Sequence, residues 1–75
     1  KILFGATVTL VDDDDTERVV TLVGEDEAEA GEGRISWNSP IGRAIRGARI
    51  GDVRTVTLPS GPRDYEVAGI AYPDA

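Results

Sequence analysis

RISWNSPIGRAIRG, residues 34–47, changes its period halfway along. Arg34-Ile35-Ser36-Trp37 reads as a short strand, with apolar residues two apart. Asn38-Ser39-Pro40 then looks like the start of a helix. The Ser39 hydroxyl can accept from an otherwise orphaned first-turn N–H, and Pro40 suits the first helical position because its missing N–H costs nothing there. Ile41, Ala44, Ile45 and Ala48 share one face at three- and four-residue spacing, whereas Arg43 and Arg46 point elsewhere. A helix is expected from Pro40 to about Arg46, with Gly47 ending it in a left-handed conformation.

Working outward, Ala6-Thr7-Val8-Thr9-Leu10-Val11 alternates as a strand with one buried face. Asp12 to Asp15 interrupt it, because four adjacent carboxylates repel one another and need water, as at an exposed turn. Arg18 to Val23 reads as the returning strand of a hairpin. Glu25 to Ala30 favours helix but has no apolar stripe, so at most a short exposed turn is expected. Downstream, Asp52 to Leu58 and Arg63 to Tyr72 are strands around a Pro59-Ser60-Gly61-Pro62 turn. The apolar step from Val67 to Ile70 is three residues, which places a bulge near Ala68-Gly69. Pro73 is expected to stop the last strand. The sum is α+β: an antiparallel sheet of about five strands with one short helix packed on one face. Residues 1–4 read as the end of a linker, and residues 5–75 as the domain.

The 75 residues carry a net charge of −6, with no cysteine and no histidine. Disulfides, thiolate metal sites, and the commonest general base and metal ligand are thereby excluded. No run of about 18 apolar residues spans a membrane. Methionine is also absent, which suggests a domain taken from a longer protein. The charge is divided. Residues 12–32 hold ten acids against Arg18, and residues 33–63 hold six arginines against Asp52. The acidic half disfavours wrapping nucleic acid, since each phosphate contact needs a cation. A polarised domain suits a charged protein partner; the alternative is that the two halves neutralise each other within the fold.

The run from Ile35 to Gly47 resembles the "I-S-x-x-S-P-hydrophobic-x-x-A-hydrophobic-x-G" segment of the bacterial GreA/GreB transcript-cleavage factors. Five further pieces resemble that family in order: Phe4-Gly5-Ala6-Thr7-Val8, Val23 to Ala28, Gly51-Asp52-Val53, Leu58-Pro59-Ser60-Gly61, and Tyr65-Glu66-Val67 with Ile70-Ala71-Tyr72. The resemblance extends from Gly5 to Tyr72 and implies the FKBP-like fold of the family's C-terminal domain. It also implies docking on the rim of the RNA polymerase secondary channel, while a separate helical hairpin carries acids to the polymerase's metals. No heptad-like run of about 30 residues lies in this chain, so it is expected to bind polymerase without stimulating cleavage. It is also expected to be a cytoplasmic monomer without cofactor, enzymatic activity of its own or direct DNA binding.

Candidate partner-binding residues are Trp37, Asn38, Ser39, Pro40, Arg43 and Arg46. For Asn38, Ser39 and Pro40, helix capping and partner contact are compatible readings. The matching loop lies at the polymerase contact in the family, which often has Asp where this chain has Asn38. Trp37 is either a half-buried packing residue or an interface anchor, a role in which Trp is enriched. Arg43, Arg46 and Arg49 could pair with acids on polymerase, although solvated surface arginine is common. Asp12 to Asp15 lack the spacing of a calcium loop and read as a solvated turn. Other functions stand beside docking by a cleavage factor. A short-armed Gre-like regulator of the nucleoside-diphosphate-kinase-regulator type would share this domain, and an unrelated partner could use the same fold. A peptidyl-prolyl isomerase would need an aromatic pocket that Phe4, Trp37, Tyr65 and Tyr72 hardly furnish.

Overall fold

The computed structural model describes residues 1–29, 31 and 33–72. The hairpin strands are β1 (Thr7–Val11) and β2 (Glu17–Val23), and a 3-10 turn (Glu25–Glu27) follows. Next come β3 (Arg34–Ser36), the helix α1 (Pro40–Ile45), β4 (Val53–Leu58) and β5 (Gly61–Ala71). Pro73, expected as a strand stop, lies outside the described residues, as do Ala30 and Glu32.

The strands form one sheet in the order β3-β2-β1-β5-β4. β1 pairs antiparallel with both β2 and β5, and β4 pairs antiparallel with β5. The expected all-antiparallel sheet is corrected at one edge: β3 runs parallel to β2, with Thr21 opposite Arg34 and Val23 opposite Ser36. The sheet is therefore mixed. The chain between β2 and β3 crosses over rather than turning back, and nothing in its acidic, glycine-flanked composition specifies that direction.

Alternation places Val8 and Leu10 of β1, Val20 and Leu22 of β2, Val56 of β4, and Tyr65 and Val67 of β5 in the core. Ile35 of β3 joins them, and Ile45 of α1 and Ala48 just after it close the core from the helix side. The β5 bulge falls where the phase break requires. Thr9 faces Gly69 while Leu10 faces Val67, leaving Ala68 as the extra residue. Without it, Ile70 would turn to the opposite face from Val67.

The first residues belong to the packing. Ile2 is fully buried. Its N–H donates to the Ala48 carbonyl at 2.8 Å, and its own carbonyl accepts from the Gly47 N–H at 2.7 Å. Gly47 can make that bond because it takes φ +84°, which a Cβ would disfavour. The Tyr72 hydroxyl holds the same segment, accepting from the Leu3 N–H at 3.0 Å and donating to the Lys1 carbonyl at 2.7 Å.

Candidate functional site

The elbow between β3 and α1 is built by serines. Ser39 Oγ donates to the Ser36 carbonyl at 2.7 Å and accepts from the Gly42 N–H at 3.0 Å. It thus caps the helix while tying it to the end of β3. Ser36 Oγ accepts from the Asn38 N–H at 3.1 Å, and Pro40 opens α1 at its first turn. Ser39 has its hydroxyl engaged internally, whereas Asn38 and Pro40 are exposed at the apex. Asn38 Nδ2 reaches Glu25 Oε2 at 3.5 Å, a long contact linking the apex to the 3-10 turn.

Gly42 is a constraint that sequence reasoning missed. A Cβ there would stand 2.5 Å from the Ser36 carbonyl oxygen and 2.7 Å from that of Trp37. The helix can lie this close to β3 only because the residue has no side chain. The three- and four-residue spacing of the apolar positions gave no signal of it, since the contact is with the preceding strand and elbow.

Trp37 is half-buried and packs against the core's edge. The Arg46 guanidinium carbon lies over its ring, 5.3 Å from the centroid, within cation–π range. Phe4 meets the same ring at 5.8 Å between centroids and 56° between planes, a tilted aromatic contact. Phe4 is 58% exposed, and its place beside Trp37 is not legible in the sequence. Trp37, Asn38, Pro40 and Arg46 therefore share one surface with Phe4. Arg43 is exposed on α1, one helical turn before Arg46.

The acidic turn at the far end of the hairpin is organised by its first carboxylate. Asp12 Oδ1 accepts from the Asp14 N–H at 2.9 Å and the Thr16 N–H at 3.0 Å, and Oδ2 accepts from Arg63 at 3.2 Å. The Thr16 N–H does most to hold the Asp12 carboxyl below its usual range. The Asp14 N–H and Arg63 act in the same direction, and partial burial opposes them. Asp12 is thus a turn-forming residue, while Asp13 to Asp15 are solvated. Asp15 takes φ +61° there.

The family described as "Transcription elongation factor, GreA/GreB, C-term" matches residues 1–72. This chain belongs to the GreA/GreB family. It is 49% identical over 73 residues to transcription elongation factor GreA of Brucella anthropi, covering 96% of this chain and 46% of the relative. Against GreA of Syntrophotalea carbinolica the identity is 52%, over the same shares of the two chains. Among solved structures, GreA factor homolog 1 of Thermus thermophilus superposes with a TM-score of 0.82 at 34% identity, covering 93% of this chain and 47% of that one. The chain thus spans about half the length of the Gre proteins it matches. The mixed sheet with one short helix is the architecture of this family's C-terminal domain.

Proposed function

We propose that this Gre domain docks on bacterial RNA polymerase, at the rim of the secondary channel, as part of an elongation factor that assists cleavage of backtracked RNA. The observation that carries the proposal is the internally braced elbow, with Asn38 and Pro40 exposed beside the half-buried Trp37, within a domain that the GreA/GreB family matches from residue 1 to 72. A braced apex suits docking because little conformational freedom is lost when a partner binds. In this reading Trp37, Asn38, Pro40, Arg43 and Arg46 touch the partner, and Ser39 holds them in place. Residues 5–75 form the docking domain, and residues 1–4 end the connection from an upstream arm, anchored by Ile2 and Tyr72. The domain acts as a cytoplasmic monomer, without chemistry of its own and without touching DNA directly.

An isomerase would need an aromatic-lined pocket. A shallow concavity of about 450 Å³ is lined by Val23, Asp26, Glu27, Ala28, Glu29 and Arg34, none of them aromatic. Such a lining would not enclose a proline ring.

Binding of the chain to core polymerase at about 0.1 M salt, beside an Asn38→Ala/Pro40→Ala variant, tests the proposal. The wild type should bind and the variant should bind at least about tenfold more weakly. Equal binding would move the contact elsewhere, and no binding by the wild type would remove the docking function.

A further inference from the structure

Three arginines cluster at α1, outside the ion pairs among the described residues. Arg34, Arg54 and Arg63 each meet a carboxylate, from Glu29, Asp52 and Asp12 respectively. Arg43, Arg46 and Arg49 make no ion pair among the described residues. They lie on α1 or just after it, and Arg46 is laid over Trp37. Stacking takes up a face of a guanidinium and leaves its N–H edge free. That planar edge fits a carboxylate through two parallel hydrogen bonds. Beside it, the exposed Phe4 and the half-buried Trp37 offer an aromatic surface to an apolar side chain.

We infer that the elbow receives a protein segment bearing a carboxylate next to an apolar side chain. The carboxylate binds the Arg46 fork pre-oriented by Trp37, the apolar group rests on Phe4 and Trp37, and Arg43 and Arg49 add attraction. The inference rests on the docking reading and specifies the chemistry its partner must present. It adds Phe4 to the contact and makes Trp37 and Arg46 one unit. Exposed cations beside aromatic rings can also hold single-stranded nucleic acid, but the surroundings favour a protein. Glu25 reaches the same surface through Asn38, and Asp26 and Glu27 follow it in the 3-10 turn. The chain's net charge is −6. A phosphate backbone passing Arg46 would run into those carboxylates, whereas a single carboxylate would not.

The test is equilibrium binding of the 75-residue chain to core polymerase, with Arg46→Gln, Arg46→Lys, Phe4→Ala and the distant Arg18→Gln compared after circular dichroism confirms equal folding. Arg46→Gln should weaken binding about tenfold and flatten its salt dependence. Arg46→Lys should recover only part of the loss, because an ammonium keeps the charge but not the fork. Phe4→Ala should weaken binding by about fivefold or more, and Arg18→Gln should leave it unchanged. If Arg46→Gln and Phe4→Ala bind like wild type while the Asn38→Ala/Pro40→Ala variant is weak, docking stands and this inference falls. An oligonucleotide that displaces polymerase from the wild type but not from Arg46→Gln would assign the surface to nucleic acid and overturn it. Absence of wild-type binding would remove both readings together.

Discussion

Gly42 and Asp12 show how single residues hold this domain, and each supports a prediction. A methyl group at position 42 would overlap the Ser36 carbonyl, and neither partner is a flexible side-chain end. Gly42→Ala should therefore lower unfolding free energy by about 2 kcal/mol or more, in the range of overpacked sites. Urea denaturation followed by Trp37 fluorescence would measure it, and a loss within error of zero would show that the elbow relaxes. Asp12 supports a pH prediction. Its folded-state pKa lies below the unfolded value of about 3.9. Its stabilisation is therefore fully present above that value and is lost as pH falls through the folded pKa. The gap in urea midpoint between wild type and Asp12→Ala should hold steady from neutral pH down to about pH 4 and shrink below it. A gap unchanged at lower pH would refute the account. Ser39 and Pro40 were legible in the sequence because helix capping is a local transaction. Gly42 was not, because its closeness to the Ser36 and Trp37 carbonyls depends on how the helix folds back on β3, and for Asp12 it is the distant Arg63 partner that the sequence hides. An aspartate that caps a turn looks the same in sequence as its three solvated neighbours.

Among the elements, the bulge of β5 was readable and β3 only in part, although β5 begins at Gly61, inside the expected turn, rather than at Arg63. Period two is strict in a strand, so the three-residue step from Val67 to Ile70 had to be absorbed, and Ala68 absorbs it. That accounting makes an unusual deletion tolerable. Removing Ala68 leaves Leu10 opposite Val67 and Thr9 opposite Gly69, now in regular alternation. Removing Glu66 instead would turn Tyr65, a core residue, to the outer face. The Ala68 deletion should keep a cooperative thermal transition, and the Glu66 deletion should abolish it. Two similar melts would mean that the bulge does not set the register. The direction of β3 was not legible. Three residues carry the same alternation whether they run parallel or antiparallel, and only the path of the crossing chain decides between them. The neighbouring contact of Arg54 with the helix end was hidden in a similar way. Its guanidinium donates to the Ala44 carbonyl at 3.3 Å, near the negative end of the α1 dipole, a contact the strand pattern does not show.

Across the whole molecule, part of the charge division seen in the sequence is neutralised within the fold. Arg63 and Arg34 return to Asp12 and Glu29 and neutralise part of the acidic half. Exposed pairs of this kind contribute little, about 0–1 kcal/mol each. The arginines around α1 are left over, beside the two rings that meet at the elbow. Of the site, the elbow's apex was legible from the helix start. Phe4 was not, because sequence distance hides its approach to Trp37, and the first four residues read as a linker rather than as a segment anchored through Ile2. The outer sheet face offers a contrast, with Thr7 and Thr21 hydroxyls bonded to each other at 2.9 Å and no aromatic contact there among the described residues.

That contrast sets the decisive measurement, which is photo-cross-linking from a benzophenone amino acid placed at Asn38 or at Thr9, in the presence of core polymerase. The docking account predicts a cross-link from position 38 that maps to the rim of the secondary channel, and little from position 9. Stronger cross-linking from position 9, or a position 38 product that maps away from the rim, would contradict it.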